Sequence, residues 1–161
     1  MRYISELKHT NITLESILRI YEWRFNTYRD KFLISKIPSI EEHISFISSE
    51  LNNSNSNWFA YFEKINSIQS PKIIGCSTLY NYSEHLSSVS FGRLMVDPSF
   101  NSLGIASKLI KYSVDYAKDQ LECKTINLVV KNSNLRAIKI YERFGFQLLE
   151  NDELRKYMFK I

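Results

Sequence analysis

The sequence reads NSLGIA at residues 101–106 and NLRAIKIYERFGF at residues 134–146, and these two stretches decide the fold. The first places a turn of small residues between a strand-like run, Arg93 to Val96, and an amphipathic helix. Backbone N–H groups at the start of such a helix bind phosphate. The second places Asn134 and Tyr141 seven residues apart, which is two helical turns. Both side chains are therefore predicted to face one cleft.

The pattern of the whole chain predicts an α/β fold, an α+β sandwich with a mixed sheet. Its order is a strand, two helices, three strands, a helix, a strand, a helix and two strands. Ser39 and Glu42 have capping-box spacing at the start of the second helix. The third helix is predicted from Leu103 to about Leu121. The run from Thr125 to Val130 predicts a strand buried on both faces, and Gly75 and Gly92 inside strand runs predict a bulge or a close backbone approach.

Composition narrows the class of protein. The 161 residues, 44% hydrophobic and 24% charged, predict a single domain over residues 1–161. The apolar runs are too short to cross a membrane, and the first residues lack the apolar core of a signal peptide, so we expect a cytoplasmic protein with no membrane partner. Cys76 and Cys123 are predicted to be buried free thiols. The histidines are isolated, so no metal site is expected.

The net charge of +4 and the pI near 9.0 are mildly basic. The lysines are scattered rather than grouped in a stripe, so a nucleic-acid partner is not expected. An anionic cofactor is a simpler explanation of the net positive charge than a nucleic-acid partner.

The element order, the turn after Val96-Asp97-Pro98 and the pattern Asn134, Tyr141, Gly145-Phe146 resemble the GCN5-related N-acetyltransferase (GNAT) family. The element order covers nearly the whole chain, and the sequence motifs cover residues 93–146. The resemblance implies a GNAT-like mixed, mostly antiparallel sheet with helices on both faces. It also implies acetyl-CoA as co-substrate, with no metal.

The first family motif, Arg/Gln-x-x-Gly-x-Gly/Ala, corresponds here to residues 101–106. Gly104 is expected to let the backbone approach the pyrophosphate without a Cβ in the way. Asn101 departs from the family's Arg or Gln, which predicts one weaker phosphate contact, and Lys108 is expected to restore some positive charge. The cofactor-binding residues implied for this turn are Asn101, Leu103, Gly104, Ile105, Ala106 and Ser107.

The strand before this turn and the helix after it complete the implied cofactor site. Leu94, Met95 and Val96 are expected to pair with the pantetheine amides like an added strand, although a strand paired internally remains an alternative. Asn134 is implied to hydrogen-bond the pantetheine arm. Tyr141 is implied to protonate the departing thiolate, since a phenol with a pKa near 10 stays protonated at pH 7.

The general base cannot be assigned from the sequence. No acidic residue lies between Glu84 and Asp97, where the family often places a carboxylate. Glu84 and His85, at the turn into that strand, are candidates. A water relay held by Ser88 and Ser90 is an equal alternative.

An acceptor site is indicated near the end of the first helix. Trp23 and Arg24, followed within two residues by Asn, and the pair Glu42-His43 are similar to acetyltransferases that act on nucleotide-linked amino sugars. Arg24 would then bind an anionic diphosphate, with Arg29 and His43 nearby. The alternative is an ordinary helix end with a core Trp and a solvated Arg.

The leading functional hypothesis is transfer of acetyl from acetyl-CoA to a primary amine by direct attack. The acceptor is a small-molecule or peptide amine: an amino sugar on a nucleotide carrier, a protein N-terminus or an antibiotic amine. The alternative function is a CoA-binding sensor or interaction module without catalysis. The chain is expected to be a monomer or a homodimer.

Overall fold

The computed structural model describes residues 1–25, 34, 36, 38–66 and 70–161. Arg29 lies outside these residues. The order of elements is the one that the sequence predicts. The strands are β1 (Arg2–Leu7), β2 (Ser56–Glu63), β3 (Lys72–Ser83), β4 (Ser88–Val96), β5 (Thr125–Lys131), β6 (Gln147–Asn151) and β7 (Leu154–Lys160), and the helices are α1 (Leu14–Phe25), α2 (Ile40–Leu51), α3 (Ile105–Asp119) and α4 (Leu135–Phe144).

The seven strands form one sheet in the order β1-β2-β3-β4-β5-β7-β6. Neighbours run antiparallel, apart from β4 and β5, which are parallel. A parallel pair needs a crossover, and α3 supplies it between β4 and β5. The sheet is therefore mixed and mostly antiparallel, as the family resemblance implies.

Helices cover both faces of this sheet, and the alternation of β2 shows how the core divides. Trp58 and Ala60 pack with α1 and α2, whereas Phe59 and Tyr61 point to the other face and pack with α3. The helix α4 joins the α3 face through Ile138 and its neighbour Tyr141, which belong to the same buried cluster. A side chain's position along a strand thus assigns it to one of two cores.

Local signals at the helix starts are confirmed. Ser39 and Glu42 form the predicted capping box before α2. Thr13 accepts a hydrogen bond from the Ser16 N–H at 3.1 Å, which starts α1 in the same way. Cys76 and Cys123 are buried thiols that are not joined in a disulfide, as predicted.

Two predictions about elements are wrong. The helix predicted from Leu103 begins at Ile105, because Gly104 adopts a left-handed φ of 71° and ends the preceding turn. The strand β5 is not buried on both faces, since Val129 is 43% exposed. Its apolar run predicted two covered faces, but α1 and α2 pack over β2, β3 and β4.

Candidate functional site

The sheet opens between β4 and β5. The two strands pair through Ser88–Ser90 and Thr125–Asn127, and beyond these three pairs β4 has no register partner in β5. Strand β5 continues to pair with β7 along its length. The end of β4 that holds Leu94, Met95 and Val96 therefore borders a gap in the sheet, which an extended chain carrying amides fits.

A β-bulge interrupts β4 at the start of this gap. Thr78 pairs with Gly92 and Cys76 with Met95, so one residue of β3 faces both Arg93 and Leu94. Arg93 has a φ of 50°, a backbone conformation that costs free energy in a residue other than glycine. The bulge directs the Arg93 side chain toward the face that α1 and α2 cover.

The first turn of α3 lies beyond the end of β4. Its cap residue, Gly104, makes no side-chain cap hydrogen bond, so the N–H groups of Ile105, Ala106 and Ser107 have no capping acceptor. A Cβ on Gly104 would meet nothing within 4 Å, so the glycine is required by its positive φ rather than by crowding within the protein. An uncapped helix start with open space beside it fits a pyrophosphate.

The side chain of Arg136 brings a cation to this turn. Its Nη2 donates to Asn101 Oδ1 at 3.3 Å, from the first turn of α4. Lys108, which was expected to restore charge here, instead donates from Nζ to the Tyr61 hydroxyl at 3.2 Å. Sequence reasoning missed Arg136, although its position two residues after Asn134 is a signal that could have found it.

Tyr141 and Asn134 both lie on the α3 face of the sheet. Tyr141 is 7% exposed, and its ring is 6.2 Å from the ring of Phe91 and 5.8 Å from that of Phe146. Burial, followed by the electrostatic effect of Tyr80, raises the pKa of Tyr141, so its phenol is protonated at neutral pH. Asn134 caps α4 by accepting from the Ala137 N–H at 3.2 Å, which leaves its amide donors for another partner.

Tyr80 lies on the opposite face, across β4 from Tyr141. Its ring covers Gly92, where a Cβ would be 3.0 Å from Tyr80 Cε1. The Arg93 guanidinium is 4.6 Å from the centre of the same ring. Sequence reasoning missed Tyr80 and Arg93 as site residues, because the bulge that brings them together depends on strand register.

The remaining candidate site residues lie in different parts of the structure. Glu84 and His85 are exposed in the turn between β3 and β4 and do not belong to the group formed by Tyr80, Gly92 and Arg93. Their role as general base stays a prediction. Trp23 is 4% exposed and packs in the core between α1, α2 and the sheet. Burial, followed by the charge of Arg93, lowers the pKa of Arg24, which places these two guanidinium groups within electrostatic range.

Within the described ranges, no helix is both long and apolar enough to span a membrane. The same ranges contain no group of three or more His, Cys, Asp or Glu side chains that could hold a metal ion.

Comparison with known proteins agrees with this geometry. Residues 17–146 match the model of the acetyltransferase (GNAT) family. The acetyltransferase PseH of Campylobacter jejuni is 26% identical over 144 residues, which cover 89% of this chain and 85% of the relative. The spermine/spermidine N(1)-acetyltransferase of Bacillus subtilis is 34% identical over 62 residues, 38% of this chain and 40% of that protein.

Solved structures share the fold. The crystal structure of Campylobacter jejuni PseH with acetyl coenzyme A has a TM-score of 0.72 at 24% identity, covering 98% of this chain and 99% of that one. A spermidine N-acetyltransferase from Vibrio cholerae, with CoA and spermine, has a TM-score of 0.79 at 17% identity, covering 99% and 95%. Because the family model spans most of the chain, the protein belongs to the GNAT family of N-acetyltransferases, which use acetyl-CoA.

Proposed function

We propose that this enzyme acetylates a primary amine on a small molecule, with the two substrates on opposite sides of β4. We name the gap between β4 and β5, with the first turns of α3 and α4, the donor side. We name the face of β2, β3 and β4 under α1 and α2 the acceptor side. The observation that carries the proposal is Tyr141, a buried and protonated phenol next to the gap.

On the donor side, the N–H groups of Ile105 to Ser107 bind the pyrophosphate, and Arg136 adds the cation that Asn101 does not provide. The strand residues Leu94 to Val96 hold the pantetheine arm in the gap. The amide of Asn134 donates to the same arm.

Tyr141 is the general acid. The amine nitrogen attacks the thioester carbonyl carbon, a C–N bond forms, and the C–S bond breaks. The phenol of Tyr141 gives its proton to the departing sulfur, and the amine loses a proton to the general base. Because burial raises the pKa of this phenol, the proton is in place at neutral pH and is transferred as negative charge develops on the sulfur.

The acceptor that we propose is an amino sugar on a nucleotide carrier. Its support is the Trp23-Arg24 resemblance together with the position of Arg24 on the acceptor side, within electrostatic range of Arg93. Glu84, His85 and a serine-held water remain the candidates for removing the amine proton. A protein N-terminus and an antibiotic amine are the competing acceptors.

The test is thiol release from acetyl-CoA over a panel of amines, including nucleotide-linked amino sugars, aminoglycosides, N-terminal peptides and spermidine. We expect turnover that is highest with a nucleotide-linked amino sugar. Tight binding of acetyl-CoA without turnover on any amine would instead support a CoA-binding module. Highest turnover with spermidine would contradict the proposed acceptor class.

A further inference from the structure

Buried polar side-chain atoms without a hydrogen-bond partner are confined to one neighbourhood of the described structure. They lie where α1 and α2 cover β2, β3 and β4, which is the acceptor side. The atoms are Arg24 Nε, His43 Nδ1, Trp58 Nε1, Thr78 Oγ1 and Arg93 Nη1. Buried polar groups are nearly always paired, so five in one place need an explanation.

Contacts between these residues join them into one group. The Arg93 guanidinium lies 5.5 Å from the Trp58 ring and 5.0 Å from the Phe46 ring. Thr78 is the register partner of both Trp58 and Gly92. Arg24 is near enough to Arg93 for their charges to interact. We call Arg24, Trp58, Thr78 and Arg93 the guanidinium cluster.

The unpartnered atoms are chiefly donors. The two arginine N–H groups and the indole N–H cannot accept, and the Thr78 hydroxyl can do either. His43 differs, because its Nε2 donates to the Ile17 carbonyl at 3.3 Å and Nδ1 is then an acceptor. A group of donors without acceptors is complementary to a ligand rich in oxygen.

The cluster also carries uncompensated positive charge. Arg93 Nη1 is 2.9 Å from Glu50 Oε2, an ion pair whose alignment is poor for a hydrogen bond. Glu50 also accepts from the Ser56 hydroxyl at 2.9 Å. Within the described residues no carboxylate forms an ion pair with Arg24. The group therefore holds two guanidinium groups but only one carboxylate ion pair among the described residues, and burying the second guanidinium is costly without an anion.

The cluster is linked to Tyr141 through Tyr80. Arg93 lies in the bulge of β4, its guanidinium is 4.6 Å from the centre of the Tyr80 ring, and Tyr80 is within electrostatic range of the Tyr141 phenol. We propose that the guanidinium cluster binds an anionic oxygen group, phosphate or carboxylate, of the acceptor molecule. This inference rests on the proposed function and names the part of the acceptor that the site recognises. It makes Arg24 and Arg93 specificity-determining residues, which exclude polycationic amines.

The experiment is calorimetric titration of the full chain with CoA already at saturation, so that the donor side is occupied. The probes are uridine diphosphate, inorganic pyrophosphate, malonate and spermidine. We expect an anion to bind the wild type and Arg24→Gln to weaken that binding at least tenfold. Arg24→Lys keeps the positive charge and is expected to retain most of the anion binding. Arg143→Ala, an exposed arginine in the last turn of α4, is the matched control and leaves anion binding unchanged.

The outcomes distinguish a phosphate ligand from a carboxylate ligand, and they distinguish failure of this inference from failure of the proposed function. Binding of uridine diphosphate and pyrophosphate alone assigns a phosphate, and binding of malonate assigns a carboxylate. The inference is overturned if CoA binds but no anion does, if Arg24→Gln binds anions like the wild type, or if spermidine binds most tightly. Failure of CoA itself to bind would count against the proposed function instead. A thermal melt of each variant, taken first, shows that it is folded.

Discussion

The donor side and the acceptor side of β4 are built in different ways. The donor side uses backbone groups, the uncapped start of α3 and the edge of β4, and its side chains come from two short segments. The acceptor side uses charged, polar and aromatic side chains that five elements bring together, from Arg24 on α1 to Arg93 on β4. The donor side is therefore suited to one fixed substrate, whereas the acceptor side can change its substrate by single substitutions.

The largest effect is expected at Tyr141. Phenylalanine has nearly the same volume and lacks the hydroxyl, so Tyr141→Phe removes the proton donor and keeps the packing. We expect kcat for thiol release to fall by about 10²–10⁴-fold, with the KM for acetyl-CoA nearly unchanged. Tyr157→Phe is the control, because Tyr157 is also a buried tyrosine, 1% exposed, on the same face. Equal kcat for Tyr141→Phe and the wild type would refute the assignment.

The second effect is a loss of stability at low pH, which we expect because His43 lies near the positive charge of the acceptor side. Burial, and then the charge of Arg24, lowers the pKa of His43 from 6.5 to about 4. The unfolded chain therefore binds a proton more readily, so the contribution of neutral His43 is complete above pH 6.5 and is lost as the pH falls toward 4. Allowing for solvent screening, the loss is about 2 kcal/mol in the free energy of unfolding.

Urea denaturation between pH 7 and pH 4 measures this loss. His43→Gln should lose less stability over this range than the wild type. His85→Gln replaces an exposed imidazole and should behave like the wild type. Parallel curves for His43→Gln and the wild type would show that His43 does not titrate in this way.

Substitutions of Gly75 and Gly92 are expected to affect the donor side and the acceptor side differently, because a new Cβ would contact different neighbours. A Cβ at Gly75 would lie 2.9 Å from Ile105 Cγ2 and 3.1 Å from the Met95 carbonyl oxygen, so Gly75→Ala must displace the start of α3. A Cβ at Gly92 would press on the Tyr80 ring instead. We expect Gly75→Ala to cost about 1–3 kcal/mol of stability and to weaken acetyl-CoA binding.

Gly92→Ala should cost less stability, because a side chain can move more easily than a backbone, and it should raise the KM for the amine. Chemical denaturation and steady-state kinetics on both variants measure the difference. The packing account is wrong if Gly92→Ala weakens acetyl-CoA binding more than Gly75→Ala does.

The smallest effect is expected at Arg136. This side chain is exposed, so Arg136→Ala should weaken CoA binding only about two- to tenfold, and less at high salt. Arg143→Ala, in the last turn of the same helix, is the control. Asn101→Arg in the Arg136→Ala background should restore binding, since it returns the family's residue to the turn. No recovery in that double variant would show that Arg136 does not replace the missing contact.

The fold and the donor side could be predicted from the sequence because their requirements are local. A left-handed turn needs Gly104 and a helix cap selects Asn134, and each of these residues lies within its own short motif. The guanidinium cluster has no such signal. Its members are up to 69 residues apart, between Arg24 and Arg93, and they meet because a bulge shifts the register of β3 and β4. Arg24 could be suspected only through the family resemblance.

Titration of acetyl-CoA into the wild type, Arg24→Gln and Arg136→Ala tests the central claim, that β4 separates two substrate sites, most directly. The account predicts that Arg24→Gln binds acetyl-CoA as the wild type does and that Arg136→Ala binds it more weakly. If Arg24→Gln weakened acetyl-CoA binding as much as Arg136→Ala, the two arginines would serve one site and the division would be wrong.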